Sequence, residues 1–192
     1  MAFGEALHKR PSVLAIAGSL RRGSYNRNML EFARRRSTDL NISIFDLNQI
    51  PLFNEDVEAN GIPVHVSDLW RAARDADAIL IATPEYNQSI PGVLKNAIDW
   101  MSRSEPSVLG SKPVAIAGVT VGAWGTRHAQ AVLRHCLTAC GASVMPVPQA
   151  YFRSAADAFD ADGQLQGREA LTTLDALLSR FREWIQRVGT NE

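Results

Sequence analysis

The sequence has no surplus of charge of either sign, because 20 Lys and Arg offset 20 Asp and Glu. That balance gives no global attraction to nucleic acid or to an anionic membrane surface, so any electrostatic recognition has to be local. Cysteine is scarce as well. The two present, Cys136 and Cys140, lie four apart in a helical-looking segment. That spacing is poor for an intrachain disulfide, and both read as small core residues. The four histidines, His8, His65, His128 and His135, form no metal-ligand spacing with them, so no metal site is expected. No apolar run approaches the ~20 residues that a bilayer-crossing helix needs. The N-terminus shows no signal-like segment, and the expectation is a soluble, cytoplasmic chain with neither membrane nor nucleic acid as partner.

At 192 residues with 46% hydrophobic content, the chain suits a single domain over residues 1–192 with a sizeable core, preceded by a short mobile leader over about residues 1–10. The first strand, about Ser12 to Ala17, is a nearly continuous apolar run, as expected of a parallel strand covered on both faces. A helix follows from about Asn26 to Ser37, and then an alternating strand, Ile42 to Leu47. Residues Asn48 to Pro63, with Pro51, Asn54, Gly61 and Pro63 among acids, read as a loop. Next come a helix from about Val64 to Ala76, a third strand from Asp77 to Ala82, and a helix whose first turn is marked by Pro91. The fourth strand spans Pro113 to Ala117, and a helix runs to about Ala139 with a stop at Gly141. A fifth strand lies around Ala142 to Val147 and an Asp162-Gly163 turn follows, before a last amphipathic helix from about Glu169 to Val188.

Five strands alternating with five helices predict an α/β doubly wound five-stranded parallel sheet in three layers, with helices on both faces. In such sheets ligands bind outside the carboxyl ends of the strands, where strand order reverses. If the order is 2-1-3-4-5, the loops after strands one, three and four edge one crevice between strands one and three.

The loop after strand one reads Gly18-Ser19-Leu20-Arg21-Arg22-Gly23-Ser24-Tyr25-Asn26. Unpaired N–H groups at a helix N-terminus, hydroxyls and arginines together suit a phosphate; a plain strand-to-helix turn is the alternative. Two common phosphate motifs fail here. A P-loop needs Lys then Ser or Thr after its second glycine, where this chain has Ser24-Tyr25, so a nucleotide hydrolase is a distant reading. The dinucleotide fingerprint needs glycine where Leu20 stands. The loop after strand three, Thr83-Pro84-Glu85-Tyr86-Asn87-Gln88-Ser89-Ile90-Pro91-Gly92, is stiffened by two prolines and suits the edge of a flat heterocycle. Glu85 has no neighbouring His or acid and reads as solvated or structural rather than as a general base. Ser19, Ser24 and Ser89 lack the His and Asp pattern of a hydrolase. No catalytic side chain is assigned.

The first loop, together with the run from Pro84 through Gly92-Val93-Leu94-Lys95-Asn96-Ala97-Ile98-Asp99-Trp100, closely resembles the NAD(P)H-dependent FMN reductase family, nearest its bacterial chromate and quinone reductase branch. The resemblance implies a flavodoxin-like fold holding FMN. In it Ser19, Arg21, Ser24 and Asn26, with Tyr25 beside them, hold the phosphate, and Pro84, Glu85, Tyr86 and Asn87 border the isoalloxazine ring. The third loop, Thr120-Val121-Gly122-Ala123-Trp124-Gly125-Thr126, departs from the family's Ser-x-Gly-x-x-Gly-Gly pattern, and there Thr120 and Gly122 are the cofactor-contact candidates. The resemblance further implies hydride transfer from NADPH or NADH through FMN to a small-molecule acceptor such as a quinone, a flavin, an azo compound or chromate. The rival is an FMN-binding electron carrier or flavin-sensing module, against which the neutral charge balance argues. A homodimer or dimer of dimers is also implied. Trp100, roughly 120° around its helix from Leu94, is either covered by a partner subunit or packed on its own neighbouring loop, and the resemblance favours the partner.

Overall fold

The computed structural model describes residues 10–160 and 162–189, so the leader expected over about residues 1–10 lies, apart from Arg10, outside the described residues. A parallel sheet is built from β1 (Ser12–Ala17), β2 (Asn41–Phe45), β3 (Ala78–Ala82), β4 (Pro113–Val119), β5 (Ser143–Val144) and β6 (Ala150–Phe152). Its order is β2-β1-β3-β4-β5, the flavodoxin-like order that the resemblance implies, and β6 also pairs with β4. Between the strands lie α1 (Tyr25–Arg36), α2 (Glu55–Ala59), α3 (Val64–Asp75), α4 (Gly92–Ser102), α5 (Arg127–Ala139) and α6 (Ala155–Ala158), with α7 (Arg168–Gly189) at the end.

Side-chain parity along β1 shows how the layers form. Val13, Ala15 and Ala17 join Met29, Leu30 and Ala33 of α1 and Leu174, Leu177 and Phe181 of α7 in one core. Leu14 and Ile16 join Leu69 of α3, Leu94 and Ile98 of α4 and Leu133 and Leu137 of α5 in the other. A strand buried on both faces has no polar side to show, hence its unbroken apolar run. Cys136 and Cys140 are free thiols packed half-buried against the second core, where burial, reinforced by Cys136 and Asp99, pushes the Cys140 thiol up.

Three expectations change. Residues 48–63 are not all loop, because Leu47–Gln49 form a 3₁₀ turn and α2 follows. The Asn54 side chain accepts the Asp56 N–H at 2.9 Å, and Glu55, Asp56 and Glu58 fill the first turn, a cap and charge pattern that favours a short helix. Second, the strand expected over Ala142 to Val147 is shortened to Ser143–Val144, and β6, outside the expected range, makes the sheet six-stranded. Met145 N still donates to Val114 O at 2.8 Å, but Pro146 and Pro148 have no N–H to donate, and pairing with β4 resumes only at Ala150 on its upper half.

The third correction concerns Trp100, which is 0% exposed within the chain itself. Its indole Nε1 donates to Pro51 O at 2.8 Å, and Phe53 meets its ring edge-on at 4.9 Å. The Asn96 carboxamide also grips that segment, donating to Pro51 O at 2.9 Å and accepting the Phe53 N–H at 2.7 Å. The ring therefore covers the chain's own loop and leaves nothing for a partner to bury.

Candidate functional site

The three loops leave the sheet from strand ends still in register. Gly18 N donates to Ala82 O at 2.8 Å and Thr83 N donates to Ala117 O at 3.0 Å, so the turns after β1 and β3 start from fixed points. A Cβ on Gly18 would lie 3.1 Å from Leu94 Cδ2 and 3.3 Å from Thr83 Oγ1, so the absence of a side chain at residue 18 lets the first loop sit tightly against the second loop and α4.

In the first loop Ser24 N donates to Arg21 O at 3.1 Å, and Ser19 Oγ accepts the Arg21 N–H at 3.4 Å, curling the chain into a cup. Ser24 is the N-cap of α1, its hydroxyl accepting from Arg27 N at 3.4 Å. The N–H groups of the helix's first turn have no carbonyl in a preceding turn and face outward with positive partial charge. Arg21 is exposed beside them, and Tyr25 is half-buried with its ring 5.3 Å from that of Phe159. Asn26 is different. Its side chain is buried and engaged, donating to Val119 O at 3.0 Å and accepting the Val119 N–H at 2.9 Å.

The second loop owes its shape to a hairpin as well as to its prolines. Tyr86 and Ser89 exchange backbone hydrogen bonds of 3.0 Å in both directions, around Asn87 at φ 50° and Gln88 at φ 61°. Positive φ at both central residues is the mark of a primed two-residue turn, in which Asn is favoured at low cost. Asn87 therefore sits at the turn's tip. The Glu85 carboxylate turns toward α5, its Oε2 accepting the backbone N–H of His128 at 2.9 Å and of Ala129 at 3.0 Å.

The third loop is held along its backbone. Thr120 N donates to Phe152 O at 3.0 Å, Thr120 O accepts from Ala155 N at 3.0 Å, and Gly122 O accepts from Ser154 N at 3.2 Å. The Arg127 guanidinium lies 5.1 Å over the Tyr151 ring and donates to Trp124 O at 3.1 Å. Trp124 itself stands 81% exposed.

These loops enclose a cleft of about 340 Å³. Ser19, Arg21, Ser24, Tyr25, Asn26, Pro84, Glu85, Tyr86 and Thr120, all candidates from the sequence, line it together. Asn87 and Gly122 are not part of its wall. Val119 and Val121 are, and sequence reasoning missed both; their only signal was a place in or beside the unusual third loop. The first loop brings hydroxyls, a guanidinium and helix-terminal amides to the cleft, and the second and third loops bring a proline, a tyrosine and valines. An anion at one end of a flat, partly apolar body matches that donor set, and FMN has that form. Among the described residues no group of His, Cys, Asp and Glu could hold a metal ion, and no helix is long and apolar enough to cross a membrane.

Comparison with known proteins points the same way. The sequence profile of the NADPH-dependent FMN reductase family matches residues 11–157. An NAD(P)H-dependent FMN reductase of Pseudomonas aeruginosa is 42% identical over 177 residues, covering 92% of this chain and 96% of that protein. A quinone reductase of Escherichia coli is 36% identical over 188 residues, covering 95% of this chain and 99% of that protein. Among solved structures, the flavoenzyme NAD(P)H:(acceptor) oxidoreductase FerB of Paracoccus denitrificans superposes with a TM-score of 0.85 at 32% identity, over 92% of this chain and 98% of that one.

Proposed function

The chain belongs to the NADPH-dependent FMN reductase family, and from that premise we propose that its cleft holds one FMN and serves the reduction of quinones or similar acceptors by NADPH or NADH. The observation that carries this reading is the meeting of the loops after β1, β3 and β4 in one cleft, where the first brings anion-binding groups and the other two bring proline, tyrosine and valine side chains. Ser19, Arg21 and Ser24, with the first-turn amides of Tyr25 and Asn26, would hold the phosphate by charge-assisted and neutral hydrogen bonds. Pro84, Tyr86, Thr120 and Val121 would border the ring, with Asn87 and Gly122 outside the wall shaping the turns that carry them. Bound FMN supplies the hydride chemistry, accepting from the nicotinamide and giving to the acceptor.

The protein's part is placement. Pro84 and the Tyr86–Ser89 hairpin present a stiff edge, so little conformational freedom is lost when a ring docks. Tyr86 and Val121, both lining the cleft, are exposed apolar side chains against which nicotinamide and acceptor would pack, and Leu20 and Trp124 are exposed on the same loops. The Glu85 carboxylate turns to backbone amides of α5, its Oε2 accepting from His128 and Ala129. The chemistry asks for no side-chain acid or base, in keeping with a cofactor that carries its own reactive atoms.

The same reading takes the chain as one FMN-binding unit that associates as a homodimer or dimer of dimers through the apolar rim of the loops. It acts in the cytoplasm, where the NAD(P)H pool is kept. A steady-state assay on purified protein, with NADPH and NADH against a panel of quinones, free flavins, an azo dye and chromate, tests the proposal. FMN-dependent nicotinamide oxidation with quinones among the accepted substrates is the expected result. Retention of FMN without oxidation by any acceptor would instead mark an electron carrier or flavin sensor.

A further inference from the structure

The third loop is gripped at both ends by side chains from the other two. At its start, Asn26 reads both backbone groups of Val119, at 3.0 and 2.9 Å, across 93 positions of sequence. It does for the end of β4 what a neighbouring strand would do, offering one donor and one acceptor to a single residue. At its end, α5 begins without a cap of its own. The N-cap Thr126 makes no side-chain capping bond; its hydroxyl accepts from Gln130 Nε2 at 3.1 Å instead. The amides of His128 and Ala129 would be left unsatisfied, and Glu85 from the second loop takes both. A carboxylate at a helix N-terminus satisfies the orphan donors and the positive end of the helix dipole together.

We propose that Glu85 and Asn26 are positioning residues that set the width of the cleft by latching the third loop to the second and first loops, and that cofactor affinity depends on them through that spacing rather than through contact. The inference rests on the FMN reading of the cleft. It separates the Glu85 and Asn26 side chains from the Arg21 guanidinium and from the Ser19 and Ser24 hydroxyls, which accept from Arg21 N and Arg27 N and keep an O–H to donate to a ligand. Each latch also requires its own chemistry. Aspartate at 26 would lose the donor to Val119 O, and glutamine at 85 would keep an acceptor for the α5 amides while losing the charge.

The test uses the full chain with and without added FMN. In the apo protein, amide hydrogen exchange at His128 and Ala129 reports the Glu85 latch directly, and exchange at Val119 reports that of Asn26. FMN affinity is read by quenching of flavin fluorescence. Glu85→Ala is expected to speed exchange at His128 and Ala129 and to raise the FMN Kd by about tenfold, within the range of a lost helix cap. Glu85→Gln, which conserves shape, is expected to restore most of both. Asn26→Ala should raise the Kd similarly. The double variant should fall short of the product of the single effects, because both latches act on one loop. The proposal is overturned if Glu85→Ala exposes the two amides yet leaves the FMN Kd within about twofold of wild type, which is the behaviour of a cap with no bearing on the site. It is equally overturned if those amides stay protected. Failure of the wild-type chain to take up FMN would overturn the reading of the cleft itself, and the latch with it.

Discussion

A β-carbon has no room at residue 118. Built on Gly118 of β4, it would overlap the Thr126 hydroxyl and lie 2.6 Å from Thr83 O, so the start of α5 and the turn after β3 close on the sheet only over bare backbone. Gly118→Ala should lower stability by about 1–3 kcal/mol, as overpacking a rigid site does, and a shift in thermal midpoint measures it. Arg21 makes the opposite kind of contribution. It is exposed, and its hydrogen bonds among the described residues are made through its backbone, so Arg21→Ala should leave the midpoint of the apo protein close to wild type. It should weaken FMN binding by about 1.5–3 kcal/mol through loss of a charge-assisted contact, read by fluorescence titration. Unchanged affinity would remove Arg21 from the site. The first loop's place in the cleft was legible because its glycine, hydroxyl and arginine run carries its signal locally. The engagement of Glu85 and Asn26 was not, since their partners lie 43 and 93 positions away and no spacing rule links them.

Elements were legible to the extent that their signals were periodic. The apolar run of β1 and the stripe of α1 mark both faces of the sheet, because side-chain direction follows backbone geometry. Trp100 shows where periodicity stops. Its angle on α4 is correct, but what lies on that side is the segment around Pro51, which only the tertiary fold brings there. Trp100→Phe should therefore cost about 1–3 kcal/mol from the lost indole donor and incomplete filling, and Trp100→Ala about 3–5 kcal/mol. Neither should alter the association state by sedimentation, since the ring lies inside its own chain. The 3₁₀ turn after β2 adds a pH dependence. Asp46 accepts the Asn48 backbone N–H at 2.9 Å, its side-chain amide at 2.7 Å and the Arg27 guanidinium at 3.3 Å. These bonds, the backbone one foremost, hold its carboxyl below the usual range, and Asp175 is held low by its bond to Arg36. A carboxyl depressed in the folded state stabilises fully above its unfolded pKa of about 3.9 and loses that contribution as pH falls through the folded value. In thermal melts at a series of pH values, Asp46→Asn should be less stable than wild type above about pH 4 and converge with it in stronger acid.

At the scale of the whole molecule, strand order does the decisive work. The reversal between β1 and β3 opens a crevice at the carboxyl end of the sheet, and three loops with separate local signals meet there. The parallel sheet follows from alternation of elements, and its order from the family resemblance. The shortening of the fifth strand and the seating of β6 beside the upper half of β4 follow from neither, although β6 anchors the third loop through Phe152. The central claim is that this cleft holds FMN in reach of both a nicotinamide and an acceptor. Anaerobic stopped-flow mixing of the FMN-loaded protein with NADPH or NADH, followed by a pulse of benzoquinone, tests it most directly. The account predicts rapid bleaching of the flavin's visible absorbance by the nicotinamide and its full return on addition of the quinone. A flavin that stays oxidised in the presence of both nicotinamides would contradict it.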